Sequence, residues 1–515
     1  MKRSRAPVEI NIEELRGVLD KARREPIGDA DYLKMKLALD VLAERLTVSR
    51  TTEKTRAAVV QPQLAPASTP STDEHRAAPQ GHGRMAAAAY TGARKVEIRH
   101  ASLSGGDLCP ECSRGKVYTQ RSPKTLVRMV GQAPVEATVF ERERLRCNAC
   151  GQVFTAEEPE GIGADKYDAS AAAVIAQLKY GSGVPFTRLE RLQQHIGIPL
   201  PAATQWELVE AAATSVKPAF DQLIWQAAQG EVLHNDDTAM RILRLAREPS
   251  DKRTGTFTSG IVSVSRNRKI ALFFTGRQHA GENLADLLKR RAEEMSSPIQ
   301  MCDALSRNTP RPLNGIQVLL ANCMAHGRRQ FVDVAANFPE ECGYVLETLG
   351  MVYGNEAITR EQGFDAEARL RFHQQYSAPL MQHLHHWLSE QLAGAKTEPN
   401  SGLGKAISYL LKHWQPLTLF LREEGAPLDN NICERALKKA ILNRKNAMFY
   451  KTPNGAWVGD LFMSLIHTCE LNGVNSFQYL TELLRHSAAV QQMPTAWMPW
   501  SYCETLARLK PPAAA

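Results

Sequence analysis

The chain has 515 residues, 43% hydrophobic and 23% charged, and its 63 lysines and arginines against 55 acids give a net charge of +8. These fractions exclude a largely disordered chain, the length implies about three or four domains, and no apolar run reaches the roughly 18 residues of a membrane span. Met1-Lys2-Arg3-Ser4-Arg5 leads into Glu9, Asn11 and Glu13 instead of an apolar segment, so a cytoplasmic protein with no membrane partner is expected.

Residues 1–50 predict N-terminal helices. Met35, Leu39, Leu42 and Leu46 form one apolar stripe, which suits a short coiled-coil contact between copies or packing on a neighbouring helix. Across 51–106 the periodicity gives way to Pro66-Ala67-Ser68-Thr69-Pro70-Ser71 and Pro79-Gln80-Gly81, the composition of a flexible linker. Residues 107–158 hold Cys109-Pro110-Glu111-Cys112 and Cys147-Asn148-Ala149-Cys150, with strand-like stretches at 126–130 and 137–140. Zinc takes four soft ligands in a tetrahedron. Cys109, Cys112, Cys147 and Cys150 are therefore expected to bind one structural Zn2+ as a zinc ribbon; a redox pair or unrelated buried cysteines are the alternative. From 165 to 228 the pattern is helical. Arg188–His195 reads as one helix, Gly197-Ile198-Pro199-Leu200-Pro201 breaks it, and a second starts at Ala203. That order suits a DNA-reading helix-turn-helix or any small helical hairpin.

From Glu231 the pattern becomes that of strands. Val232–Asn235, Phe257–Val264, Ile270–Thr275, Ile299–Cys302 and Ile316–Leu320 read as strands, with helices at Glu282–Glu294 and His326–Ala335. This is the order of a ribonuclease-H-like α/β domain, whose first and fourth strands adjoin at the centre of the sheet. Asp236 and Asp303 stand at the ends of those two strands. Carboxylates and a substrate phosphate are normal ligands of Mg2+, and two ions about 4 Å apart would clamp an in-line phosphoryl displacement. A third acid, Glu434, opens a later helix in Asp429-Asn430-Asn431-Ile432-Cys433-Glu434-Arg435-Ala436. The same glutamate would also suit a capping box with Asn431, or a pair with Lys438. Arg435, Lys438, Lys439, Arg444, Lys445 and Lys451 follow before any further acid, which suits phosphate contact or a solvated basic face. Residues 340–424 read as an amphipathic helical insertion, with Leu380, Leu384, Trp387 and Leu388 at helical spacing, dividing the catalytic domain into 229–339 and 425–485. His383, His385 and His386 lie there with no cysteine or acid spaced to join them as metal ligands. Residues 486–515 read as a C-terminal tail.

Several blocks, taken in order, resemble transposases of the insertion sequence 66 family, a DDE-type group found in bacterial mobile elements. They are His234-Asn235-Asp236-Asp237-Thr238, then Cys323-Met324-Ala325-His326-Gly327-Arg328-Arg329-Gln330-Phe331, then Asp429–Ala436, then Asn443-Arg444-Lys445-Asn446 with Phe449. The resemblance runs from about Cys109 to Tyr502. It implies a zinc-binding segment ahead of a ribonuclease-H-like catalytic domain with a helical insertion. It makes Asp236, Asp303 and Glu434 the catalytic acids and ligands of Mg2+ (or Mn2+). Arg328, Arg329, Arg435, Lys438, Lys439, Arg444 and Lys445 are the candidate DNA contacts. Cys323-x-x-His326 could be half of a second metal site, but the sequence shows no second ligand pair to join it, so His326 and Arg329 read as helpers on the phosphate side or in the structure. Two positions depart from the family pattern: Asp237 stands where Glu is common, and Asp303-Ala304-Leu305 where Asp-Gly-Tyr is common. Either Asp236 or Asp237 is thus open as the ligand. The implied activity is binding of element ends, DNA cleavage and strand transfer, with double-stranded DNA, further copies of the chain and accessory proteins of the element as partners. A transposase-derived DNA-binding protein that no longer cuts, and a nuclease of the same fold without strand transfer, are the alternatives.

Overall fold

The structure is a computed structural model and describes residues 102–112, 114–118, 133–146, 153–157, 166–246, 253–265, 268–310 and 317–509. The expected N-terminal helices, with their contact between copies, and nearly all of the expected linker lie outside these residues. The described residues fall into two compact units: 102–112, 114–118 and 133–136 in one, and 137–146 onward in the other. In the first, an antiparallel bridge between Leu108 and Lys116 closes the turn that carries Cys109 and Cys112.

The second unit begins with a two-stranded ribbon, β1 (Arg144–Arg146) and β2 (Val153–Thr155), antiparallel with Leu145 opposite Phe154. These strands flank Cys147 and Cys150 in the sequence. The stretch 137–140, expected as a strand, has no strand structure; Val139 is 83% exposed there, so nothing holds it in a ladder. The other expected strand, 126–130, lies outside the described residues.

Among the described residues three α-helices follow, α1 (Ala169–Ala176), which runs on into a π-helical turn at Gln177–Gly181, α2 (Phe186–His195) and α3 (Ala202–Ala228). The break between α2 and α3 falls where the sequence places it, with Gly197 at φ +77°, a backbone that favours glycine. The central sheet comprises β3 (Val232–Ala239), β4 (Phe257–Ser265), β5 (Arg268–Gly276), β6 (Ile299–Cys302) and β7 (Leu319–Asn322), ordered β5-β4-β3-β6-β7. β3 pairs antiparallel with β4 and parallel with β6, so the first and fourth of these strands do adjoin. β3 extends past Asn235 to Ala239, because β4 offers a partner along its whole length, Thr258 opposite Thr238 and Phe257 opposite Ala239. α4 (Ala280–Leu288) crosses between β5 and β6; it starts at His279, whose N–H donates to Glu282 Oε2 at 2.9 Å, and it ends earlier than expected.

After β7 come α5 (Met324–Val334), α6 (Pro339–Glu361), α7 (Ala366–Tyr376), α8 (Ala378–Ala393) and α9 (Gly402–Lys412), so the 340–424 region is helical as expected. These helices share a core with one face of the sheet: Val232, Ile299, Met301 and Ala321 pack with Phe331, Leu346, Leu384 and Leu410. α8 buries Met381, Leu384 and Leu388 and leaves His383, His385 and His386 exposed. The chain then returns to the sheet with α10 (Asn431–Ala447) and α11 (Pro453–Leu471), followed by α12 (Ser476–Arg485). The expected tail is partly helical, at Ser487–Gln492 and Tyr502–Leu509, and buries Val490, Trp497 and Tyr502. Among the described residues no helix is long and apolar enough to cross a membrane.

α11 lies along the edge strand β5. The N–H groups of Thr275, Phe273 and Ala271 donate to Asp460 Oδ2 (2.6 Å), Ser464 Oγ (3.0 Å) and Thr468 Oγ1 (3.0 Å), and Lys269 N–H donates to Asn472 Oδ1 at 3.2 Å just past the helix end. Four helical residues rise about 6 Å and two strand residues about 6.6–6.8 Å, so the two repeats stay in step. One helix thereby occupies the place of a sixth strand and covers an edge that would otherwise pair with other chains.

Candidate active site

Successive residues of β3 face opposite sides of the sheet. His234 and Asp236 turn toward α10: His234 Nδ1 is 3.1 Å from Asn430 Oδ1, just before that helix. Asn235 and Asp237 turn the other way. Asp236 meets Asp303, the residue after β6, through one side chain. Asn308 Nδ2 donates to Asp303 Oδ1 at 2.5 Å and to Asp236 Oδ1 at 3.2 Å. Asn308 is fully buried in a short turn, Ser306–Asn308, and its carbonyl accepts from Asn235 Nδ2 (2.7 Å) and Gln300 Nε2 (2.8 Å). The turn sits directly on α4 because Gly281 has no side chain; a Cβ there would stand 2.4 Å from the Thr309 carbonyl oxygen. Burial pushes Asp236 up to about 6, against a backbone hydrogen bond from Asp237, and the charges of Asp303 and Asp237 push the same way.

Asp237 is satisfied elsewhere. Its carboxylate is 1% exposed and takes His279 Nδ1 at 2.8 Å and Arg307 Nη2 at 3.4 Å. The Asp-Asp pair is therefore divided by strand alternation into one acid that faces Asp303 and one that fastens β3 to α4 and the 306–308 turn.

Glu434 arrives on α10, which packs across β3 and β4 at Gly260, the residue paired with Asp236. A Cβ on Gly260 would come within 3.0 Å of Leu437, so the close approach depends on this glycine, and Cys433 Sγ lies 3.3 Å from the Gly260 carbonyl. Asn430 is the residue before the helix, and its side chain goes to His234 and to the Asn235 carbonyl (3.1 Å). Asn431 bonds Asp429, so the Asn431–Glu434 capping box does not form, and Glu434 has His326 as its ion-pair partner, Nδ1 to Oε1 3.7 Å, in place of Lys438. His326 is also among the charges that bear on Asp236. Burial lifts Asp429, two residues before α10.

The candidate DNA contacts divide into two groups. Arg329, Arg435, Lys438 and Lys445 are exposed, and Arg328 is half-buried. Lys439 Nζ bonds Glu470 at 2.6 Å and the Gly181 carbonyl at 3.2 Å, while Arg444 Nη1 bonds Thr238 Oγ1 at 3.0 Å and the Ala239 carbonyl. These two side chains fasten α10 to its surroundings. Sequence reasoning missed Asn308, His279 and Arg307, and no local pattern marks any of them.

In the other unit, the N–H groups of Arg114 and Gly115 and the Cys109 thiol hold Cys112 below the ordinary thiol range, and Cys109 N–H bonds the Gly115 carbonyl at 2.7 Å. Backbone donors aimed at a sulfur suit a metal-binding thiolate. Cys147 and Cys150, expected to complete the zinc ligands, lie outside the described residues.

The model of one protein family, described as Transposase IS66 family, matches residues 166–457, more than half of the chain. Among curated proteins, the uncharacterized protein y4jD of Sinorhizobium fredii is 29% identical over 378 residues, 70% of this chain and 71% of its own length. Two other uncharacterized proteins of that organism, y4hP and y4qI, are 25% and 26% identical; the matches span 67% and 64% of this chain and 64% and 62% of theirs, less than two thirds of each.

Proposed function

We propose that this chain, which belongs to the IS66 family of transposases, is a DDE-type enzyme that binds the double-stranded ends of a mobile element and cuts and joins DNA there, with Asp236, Asp303 and Glu434 as its catalytic acids. The observation that carries the reading is the meeting of Asp236 and Asp303, from neighbouring strands, on the single buried amide of Asn308. Crowded carboxylates destabilise one another, and beside an anionic phosphodiester they would repel the substrate as well. They make sense next to hard cations, and the three acids offer oxygen donors that fit Mg2+ or Mn2+. Two such ions, when bound, would neutralise charge on the phosphodiester and align an oxygen nucleophile for in-line displacement.

The chain's own residues have separate tasks in this reading. Asn308 fixes the facing oxygens of the two aspartates, and His326 steadies Glu434. Asp237 keeps the end of β3 in place through His279 and Arg307. Exposed Arg329, Arg435, Lys438 and Lys445 would meet phosphates, which position DNA without reading its sequence. The strand order, with first and fourth strands adjacent, supports a ribonuclease-H-like catalytic domain with a helical insertion. Further copies of the chain and accessory proteins of the same element are the proposed protein partners.

The test uses the full chain, Mg2+ and DNA carrying an element end. Asp236→Asn, Asp303→Asn and Glu434→Gln should each lower cutting by at least about a hundredfold, while melting temperature and end-binding persist. Normal cutting by Glu434→Gln would remove that residue from the trio. A supplied 3′ end that is never joined to target DNA would leave a nuclease in place of a transposase.

A further inference from the structure

We infer that Cys323, His326 and Glu434 form a second metal site, for a soft divalent ion such as Zn2+, and that filling it withdraws Glu434 from the acid trio. The site stands on its own geometry; its effect on cutting rests on the reading of Glu434 given above. One ligand atom from each of the three residues lies within 4.8 Å of the other two. With zinc–ligand bonds of about 2.0–2.3 Å, the ligands of a tetrahedral site stand roughly 3.3–3.7 Å apart, so small side-chain adjustments suffice. His326 Nδ1 is buried, has no hydrogen-bond partner and sits 3.7 Å from Glu434 Oε1. An imidazole nitrogen left in that state suits a metal ligand better than a packing group.

The backbone is already arranged for the sulfur. Cys323 is fully buried at the start of α5, and its Sγ accepts the Asn430 N–H at 3.2 Å. Bonds from N–H to sulfur are the outer-shell support that metal-bound thiolates use. The Met324 N–H bonds the Leu428 carbonyl at 3.0 Å, which ties the first turn of α5 to the segment leading into α10. Cys323 and His326 lie one turn apart and Glu434 comes from the other helix, so the backbone already brings the three donors close together. A sulfur and an imidazole select zinc over magnesium, whereas Asp236 and Asp303 select the reverse. Glu434 is common to both sets. Three protein ligands leave one coordination position open.

Cobalt(II) is the probe, titrated into the full chain as purified and followed by its thiolate-to-cobalt charge-transfer band. Subtracting the signal of Cys323→Ser isolates this site from the other cysteines, and serine preserves an acceptor for the Asn430 N–H. The band should be weaker in Cys323→Ser than in the parent, and the difference should need at least about tenfold more cobalt in His326→Gln and Glu434→Gln, variants that leave the sulfur in place. Thermal melts identify which variants remain folded. Zinc should inhibit magnesium-supported cutting by the parent chain at micromolar concentration, and the fractional inhibition should fall at least about tenfold in Cys323→Ser. An equal cobalt band in the parent and in folded Cys323→Ser, or an unchanged titration in both other variants, overturns the site. A band that depends on Cys323, with cutting that zinc does not touch, keeps the site and overturns the role of Glu434 in cutting.

Discussion

The β5 edge and the acid pocket at the ends of β3 and β6 use polar side chains in opposite ways. Along β5, four oxygens from α11 and the residue after it meet four strand N–H groups in step. In the pocket, Asp236 and Asp303 meet on a single amide, while His279 and Arg307 pair with Asp237 and His326 pairs with Glu434. The first arrangement leaves nothing for a ligand to do. The second brings two carboxylates together, and among the described residues neither has an ion-pair partner. Within one sheet, completed pairing marks structure and incomplete compensation marks a site.

Breaking the edge should have the largest effect on stability. Ser464→Ala with Thr468→Val leaves the Phe273 and Ala271 N–H groups buried without acceptors, at about 1–3 kcal/mol each, so denaturant unfolding should show a loss of about 2–6 kcal/mol. An unchanged midpoint would show that the ladder is incidental to the packing. Asp460 sharpens the same comparison through pH. Burial raises it to about 7, against hydrogen bonds from Thr275. The folded chain then holds this proton more tightly than the unfolded chain, whose value is near 3.8. Its contribution is fully present below that value and is lost as pH rises through about 7. Asp460→Asn should therefore gain stability relative to the parent between pH 4 and 8, by on the order of 3 kcal/mol, measured as the difference between two unfolding series. Parallel series would show that the carboxylate is not the titrating group.

In the pocket, Asp237→Asn should lower stability by about 1–3 kcal/mol, because it weakens the pairs with His279 and Arg307. Its cutting rate should fall far less than that of Asp236→Asn, and the reverse ranking would exchange the roles of the two residues. The smallest expected change in stability is that of Lys438→Ala with Lys445→Ala, both exposed. Unfolding should shift by less than about 0.5 kcal/mol. Affinity for all DNA sequences should weaken alike, with the salt slope reduced by about two. Loss confined to element ends would mean that these lysines read bases.

Much of this was legible locally. The break at Gly197, the strands at Ile299–Cys302 and Phe257–Ser265, and the helical run from Met324 to Lys412 follow from periods of two and 3.6 and from turn residues, all of which a short window displays. Less was legible where the outcome depends on a distant partner. The end of β3 was placed too early at Asn235, since only β4 shows that the strand continues. The capping box written in Asn431 and Glu434 does not form, because Asn431 bonds Asp429 while Asn430 is taken by His234 and Asn235.

The amino-acid sequence alone determined that this is an α/β chain carrying three acids in ordered blocks, with a basic stretch behind the last. Tertiary structure decided which acid of Asp236 and Asp237 faces Asp303, that Asn308 joins the pair, and that Lys439 and Arg444 are engaged within the fold. It also decided that Cys323 and His326 stand beside Glu434. The physical reason is the range of the forces involved. Alternation and helix starts are set by neighbours a few residues away. The bond between Asn308 and Asp236 spans 72 positions and that between Asn430 and Asn235 spans 195, and such partners are chosen only when the sheet and its helices pack.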